Sequence, residues 1–150
     1  MDIDTFLHRE GLTKAPLIKR AYAFFIDSLI LVVLALFVNV DLFTSLTPDA
    51  SQEDYLRIQT EILKIYLPMT FVYQWFFVSL YGATMGKIMM KIRIIDLQTG
   101  DTPTVAIALN RSIVRIISEI VMNLGFLWAM LDPNRQGWHD KSSKTLVIDV

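Results

Sequence analysis

The chain has 150 residues, 53% of them hydrophobic and 19% charged, with a net charge of −1 and no cysteine. That length predicts one domain, and the apolar excess points towards a membrane protein. The balanced charge argues against the broad basic face of a nucleic-acid binder, and the missing cysteine excludes disulfide staples and thiolate metal sites.

The opening MDIDTFLHREGLTKAP is polar and mixed in charge. A secretory leader has a short basic head, an apolar run of about 7–15 residues and a small-residue cleavage site. Here the apolar run is longer, which predicts a retained anchor. Residues 21–40 form that run, and a helix rising ~1.5 Å per residue then covers a ~30 Å hydrocarbon core. Pro16 marks its start and NVD its end. Residues 41–61 read as an acidic linker, with Asp41, Asp49, Glu53, Asp54 and Glu61 against Arg57. Residues 62–81, ILKIYLPMTFVYQWFFVSLY, are the second predicted span, with Tyr66, Tyr73, Trp75 and Tyr81 as interfacial anchors and Pro68 as a kink.

Charge sets the expected orientation. Lys14, Lys19 and Arg20 precede the first span, Lys87, Lys91 and Arg93 follow the second, and the acidic linker lies between. The positive-inside bias places both termini in the cytoplasm. GATMG, at residues 82–86, has the spacing of a helix-dimer seam, but at the end of a span it reads as a turn or helix terminus. Residues 91–97 and 144–150 are rich in β-branched residues and predict two short strands able to pair, with QTGD as a turn after the first.

Residues 105–131 are the awkward apolar stretch. Arg111, Arg115 and Glu119, four apart and followed by Asn123, fall on one helical stripe. Three ionisable groups on one face are incompatible with a cleanly lipid-exposed span. An interfacial or re-entrant helix pair with a break near Gly125 fits the flanking charges better than a third crossing. The stripe has two readings: a polar face meeting anionic lipid, or an arginine folded under the bundle to pair with Asp27.

Asp27 is the residue that the first span does not explain. Seven positions separate it from Arg20, so the two lie about 20° apart around the helix axis and ~10.5 Å along it. Arg20 can reach the interface, whereas an Asp within hydrocarbon costs about 2.5–3.5 kcal/mol and needs a partner or a water-filled cavity. It is either a packing group or a proton or cation site. His139 and Asp140 lack the ligand count of a metal centre, and no nucleophile-elbow glycines surround Ser28, so a Ser28–His139–Asp140 triad is not expected. No cofactor motif is present, and the chain does not read as an enzyme.

Taken in order, RAYAFFIDSLIL, GATMGKIMMKIRIID, ALNRSIVRI and GFLWAMLDPNRQGWHDKSSKTLVI resemble the RDD family of bacterial membrane proteins. The family takes its name from one Arg and two Asp residues. The resemblance implies that Arg20 and Asp27 are the first two and Asp140 the third, with Asp132 the runner-up. It also implies two spans in a bacterial inner membrane, and a few members have been connected with cation/proton exchange. The expected fold is an all-α membrane protein: two transmembrane helices, an amphipathic or re-entrant segment at 105–131, and a short cytoplasmic two-stranded β element. The expected activity is that of a transporter or exchanger, whose polar cluster would be Arg20, Asp27, Asp140, Arg111, Arg115 and Glu119. The alternative is a non-transporting scaffold or accessory subunit in which these residues are structural. Expected partners are the lipid bilayer, further copies of the chain and a small cation or proton, with no nucleic acid.

Overall fold

The longest apolar helix is α2, Leu17–Val38, which follows two short elements, α1 (Ile3–Glu10) and β1 (Thr13–Lys14), in a computed structural model describing residues 3–44, 49–121 and 124–150. Among the described residues only α2 is long and apolar enough to cross a membrane on composition, with a mean hydropathy of 2.5. Val40–Thr44 is α3, and α4 runs from Gln52 to Tyr81. The acidic linker is therefore shorter than expected. Ser51 caps α4, its Oγ accepting from the Asp54 amide at 3.3 Å while Asp54 Oδ2 accepts from the Ser51 amide at 2.8 Å. This reciprocal capping starts the helix well before its apolar half. Pro68 lies inside α4 without ending it.

Gly82 closes α4 in the left-handed conformation, φ 64°. A Cβ there would lie 2.9 Å from Thr102 Cγ2 and 3.1 Å from the Ile94 carbonyl, so only glycine fits. The chain then forms α5 (Met85–Met89) and β2 (Ile92–Asp96). The GATMG stretch is thus a helix end and a turn, as its position in the sequence suggested.

The strands form a sheet of order β1-β3-β2, with β3 (Thr145–Asp149) antiparallel to both neighbours and Ile94 opposite Val147. The predicted pairing is present, but the sheet has three strands, because Thr13–Lys14 adds to its other edge. Ile92, Ile94 and Val147 pack with Ala15, Ala23, Val78 and Ala108 against the helices. Ile95, Leu146 and Ile148 point the other way, under Phe6 and Leu7 of α1. A sheet buried on both faces needs continuous apolar runs, which explains why these strands do not alternate.

α6 (Val105–Ile120) packs along α4, and α7 (Leu124–Leu131) folds back. Ala108 and Val78 share one buried cluster, while Tyr66 Oη donates to Glu119 Oε1 at 3.4 Å. Moving forward along α6 therefore means moving backward along α4, for roughly 17 Å at the helical rise. At the far end, a Cβ on Gly125 would lie 2.4 Å from Ser118 Oγ and 3.1 Å from Trp138 Cβ, which holds the start of α7 against α6 and α8 (Trp138–Ser142). Lys141 then pairs with Asp132 at 2.5 Å, just past the end of α7. Residues 105–131 thus form a hairpin whose two open ends lie beside the sheet. Asn123, placed on the same stripe by its spacing, lies outside the described residues.

Candidate functional site

Two buried carboxylates organise the polar interior. Asp140 is 0% exposed and sits near the start of α8. Its Oδ2 accepts from Arg20 Nη2 at 2.6 Å and from the Gly137 amide at 2.9 Å. Its Oδ1 accepts from Arg111 Nη1 in a very short ion pair, and that guanidinium also donates to Thr145 Oγ1 at 2.6 Å. Arg20 Nη1 donates to the carbonyl of Arg135, a residue held at φ 55°. One carboxylate therefore ties the start of α2, the middle of α6, α8 and β3 together. Burial alone would raise the Asp140 pKa, but Arg111 and Arg20 outweigh it and hold the carboxyl well below its usual range. The neighbouring His139 is kept neutral by burial, and the three arginines around it add to that effect although Asp140 opposes it.

Asp27 is 1% exposed, on α2 one helical stretch beyond Arg20. Its Oδ1 accepts from Tyr73 Oη at 2.7 Å and from the Gly86 amide at 2.8 Å, and its Oδ2 accepts from Thr84 Oγ1 at 2.6 Å. Tyr73 Oη in turn accepts from the Met85 amide at 3.1 Å. Gly86 is needed for the approach, since a Cβ there would lie 2.2 Å from the Ala23 carbonyl. The α5 turn thus caps Asp27 with hydroxyl and amide donors. Lys87 Nζ is linked to it indirectly, donating at 3.3 Å to Thr84 Oγ1. Burial pushes the Lys87 pKa down to about 7, against the pull of Asp27.

The expected pairing of Asp27 with Arg111 or Arg115 is therefore corrected. Arg111 belongs to Asp140, and Arg115 lies 5.2 Å over the Phe24 ring. An arginine at Asp27 would have to displace donors already in contact with both carboxylate oxygens. The stripe of Arg111, Arg115 and Glu119 faces inward towards α2, α4 and α8 and does not form an outer lipid-facing surface. Asp132, the runner-up for the third family residue, is partly exposed and pairs with Lys141 while accepting from the Asn134 and Gln136 amides at 3.1 and 3.0 Å. It stabilises a turn.

A model of the RDD family matches residues 14–144. The chain belongs to the RDD family. No curated protein and no solved structure matches it. Of the residues that resemblance put forward in this RDD chain, Arg20 and Asp140 form one ion pair, and Asp27 stands in a separate cluster. Sequence reasoning missed Tyr73, Thr84, Gly86 and Thr145. The only available signal was GATMG, whose Thr84 and Gly86 follow a helix-ending glycine and so present a hydroxyl and a bare amide towards α2. Tyr73 and Thr145 carry no such mark, because their roles depend on how distant elements pack.

Proposed function

We propose that this RDD domain is a two-span protein of the bacterial inner membrane, and that its Arg/Asp residues are a structural clamp. In this reading α2 and the apolar half of α4 cross the bilayer, and the α6–α7 hairpin enters from the cytoplasmic side and returns. The sheet, α1 and α5 form a cytoplasmic cap, and α8 packs along the hairpin. The positive-inside bias supports that orientation, as does the sheet, which joins residues near both termini and requires them on one side.

The observation that carries the reading is the saturation of both carboxylates. Asp140 accepts from two arginines and an amide, and Asp27 accepts from two hydroxyls and an amide. A group that must bind and release a cation or proton needs an oxygen open to it, and these oxygens are held by fixed donors. Buried, fully bonded polar networks fix one arrangement of the elements they join. The domain then works as a non-enzymatic membrane scaffold or accessory subunit, assembled with further copies of itself.

Transport is the second reading. It is favoured by a different feature, the unpartnered polar atoms between α4 and α6 described below. Flux in proteoliposomes tests the two. An unaltered chain that carries no ion-dependent flux, together with an Asp27→Asn variant that loses stability, supports the clamp. Folded variants of normal yield that have lost flux would overturn it.

A further inference from the structure

Away from the two saturated carboxylates, one stretch of the interior is conspicuously unsatisfied. Thr70, Gln74 and Val78 form the buried stripe of α4, and Val78 packs with Ala23 of α2 and Ala108 of α6. That stripe therefore faces the seam between α2 and α6. Gln74 is 3% exposed and its Nε2 has no hydrogen-bond partner among the described residues. Across the seam, the shielded Nε of Arg115 and Oε2 of Glu119 are likewise without a partner among the described residues. An amide donor, a guanidinium donor and a carboxylate acceptor are left open along the contact of α4 with α6, and a buried polar atom left open is destabilising.

Arg115 and Glu119 are complementary in charge, yet their Nε and Oε2 atoms are not bonded to each other, and Gln74 Nε2 on the facing helix is a further open donor. A chain of waters can bridge such atoms, since each water donates to a carboxylate and accepts from N–H groups, and buried waters typically make about three bonds. Tyr66, whose hydroxyl reaches Glu119 Oε1, also lines an open, mainly apolar groove of about 390 Å³ with Val32, Gln59, Thr60, Ile62 and Leu63. Those residues lie on the far halves of α2 and α4, away from the sheet.

We propose that the α2/α4/α6 seam holds a cluster of water opening towards the outer face, with Glu119 as the acidic group that it reaches. Glu119, and not Asp27, is then the carboxylate exposed to exchange with the outside. This inference rests on the two-span topology given above.

The chain has no cysteine, so single cysteines report without background. The test is modification of Thr70→Cys and Gln74→Cys in cell-derived vesicles by a membrane-impermeant trimethylammonium methanethiosulfonate. Phe76→Cys, on the exposed face of α4, is the lipid-facing reference. Both seam cysteines should react from the outer side about 100-fold faster than Phe76→Cys, because a thiol held in hydrocarbon loses about tenfold in thiolate per unit of raised pKa. Rates equal to the Phe76→Cys rate would overturn the proposal. Thr70→Cys is nearly isosteric and guards against misfolding of the Gln74 variant. In the unaltered chain, a water-soluble carbodiimide with an amine should label Glu119, and failure to label it would also count against the water cluster.

Glu53→Cys and Gln98→Cys separate this inference from the topology. Labelling of Glu53→Cys from outside and Gln98→Cys only from the cytoplasmic side keeps the topology, so unreactive seam cysteines then sink the water cluster alone. Labelling of both from one side overturns the topology and the water cluster together.

Discussion

Arg20, at the start of α2, and Asp140, on α8 near the end of the chain, are 120 residues apart in sequence and joined at 2.6 Å. Arg111 reaches the same carboxylate from α6. Two cations share one anion in a site closed to water, and the carbonyl of Arg135 and the hydroxyl of Thr145 take up part of the surplus charge.

Asp140→Asn should be the most damaging conservative substitution in the chain. It leaves two buried guanidinium groups without their counter-charge, and breaking such a pair costs about 3–5 kcal/mol. The expected outcome is loss of most folded protein in detergent, read as yield of the monodisperse peak and melting temperature. Replacing Arg20, Arg111 and Asp140 together with apolar residues of similar volume should recover part of that stability. A single Asn variant that melts with the parent would contradict the clamp.

Asp27→Asn should behave differently. The Asn side chain has one acceptor oxygen where Asp27 uses two. It keeps the Tyr73 and Gly86 bonds only if its amide turns to Thr84 Oγ1, which must then accept in place of donating, and the charge behind all three bonds is gone. A loss of about 1–3 kcal/mol is expected. Neutralising Arg111 or Arg115 in that background should not restore it, because neither arginine touches Asp27. Rescue by either change, seen in melting temperature, would point back to an Arg–Asp27 pair.

Gly86→Ala tests how closely α5 sits on α2. The added methyl would meet the Ala23 carbonyl at 2.2 Å and Asp27 Oδ1 at 2.8 Å, and a backbone carbonyl inside a helix cannot move aside cheaply. Overpacking of this kind costs about 1–3 kcal/mol. Gly11→Ala is the comparison: φ is +63° there, but nothing lies within 4 Å, so only backbone strain of about 1–2 kcal/mol is expected. A Gly86 variant that is less destabilised than the Gly11 variant would argue against the close approach.

Lys87 gives a pH signature. Burial lowers its pKa from 10.5 to about 7, so between those values the unfolded chain binds a proton that the folded chain does not. Stability from this group therefore rises with pH from about 7 to 10.5 and is lowest below 7. Melting temperature measured across that range should climb less steeply in Lys87→Met than in the parent. The variant should gain most on the acidic side of the window. Parallel curves would show that Lys87 titrates normally.

Sequence alone determined the parts of this protein that follow from local chemistry. The apolar run of α2, the helix stop at Gly82, the two main strands and the fold-back of residues 105–131 could be read from hydropathy, turn residues and spacing. So could the weight of Arg20 and Asp27, because charges in or beside an apolar run need an explanation, whereas Asp140 stands in the polar stretch QGWHDKSSK and was marked only by the family resemblance. Partner choice was decided only by the tertiary structure. Arg20 and Asp27 share a helix face, which invites a common cluster, yet ~10.5 Å along the axis is enough for one to meet α8 and the other to meet α5. Tyr73, Thr84 and Thr145 look like ordinary helix, turn and strand residues until packing brings their hydroxyls to a carboxylate. The β1 edge and the α1 cover were hidden for the same reason. A two-residue strand and a short polar helix carry little periodicity, and they exist because the sheet has a second apolar face to bury.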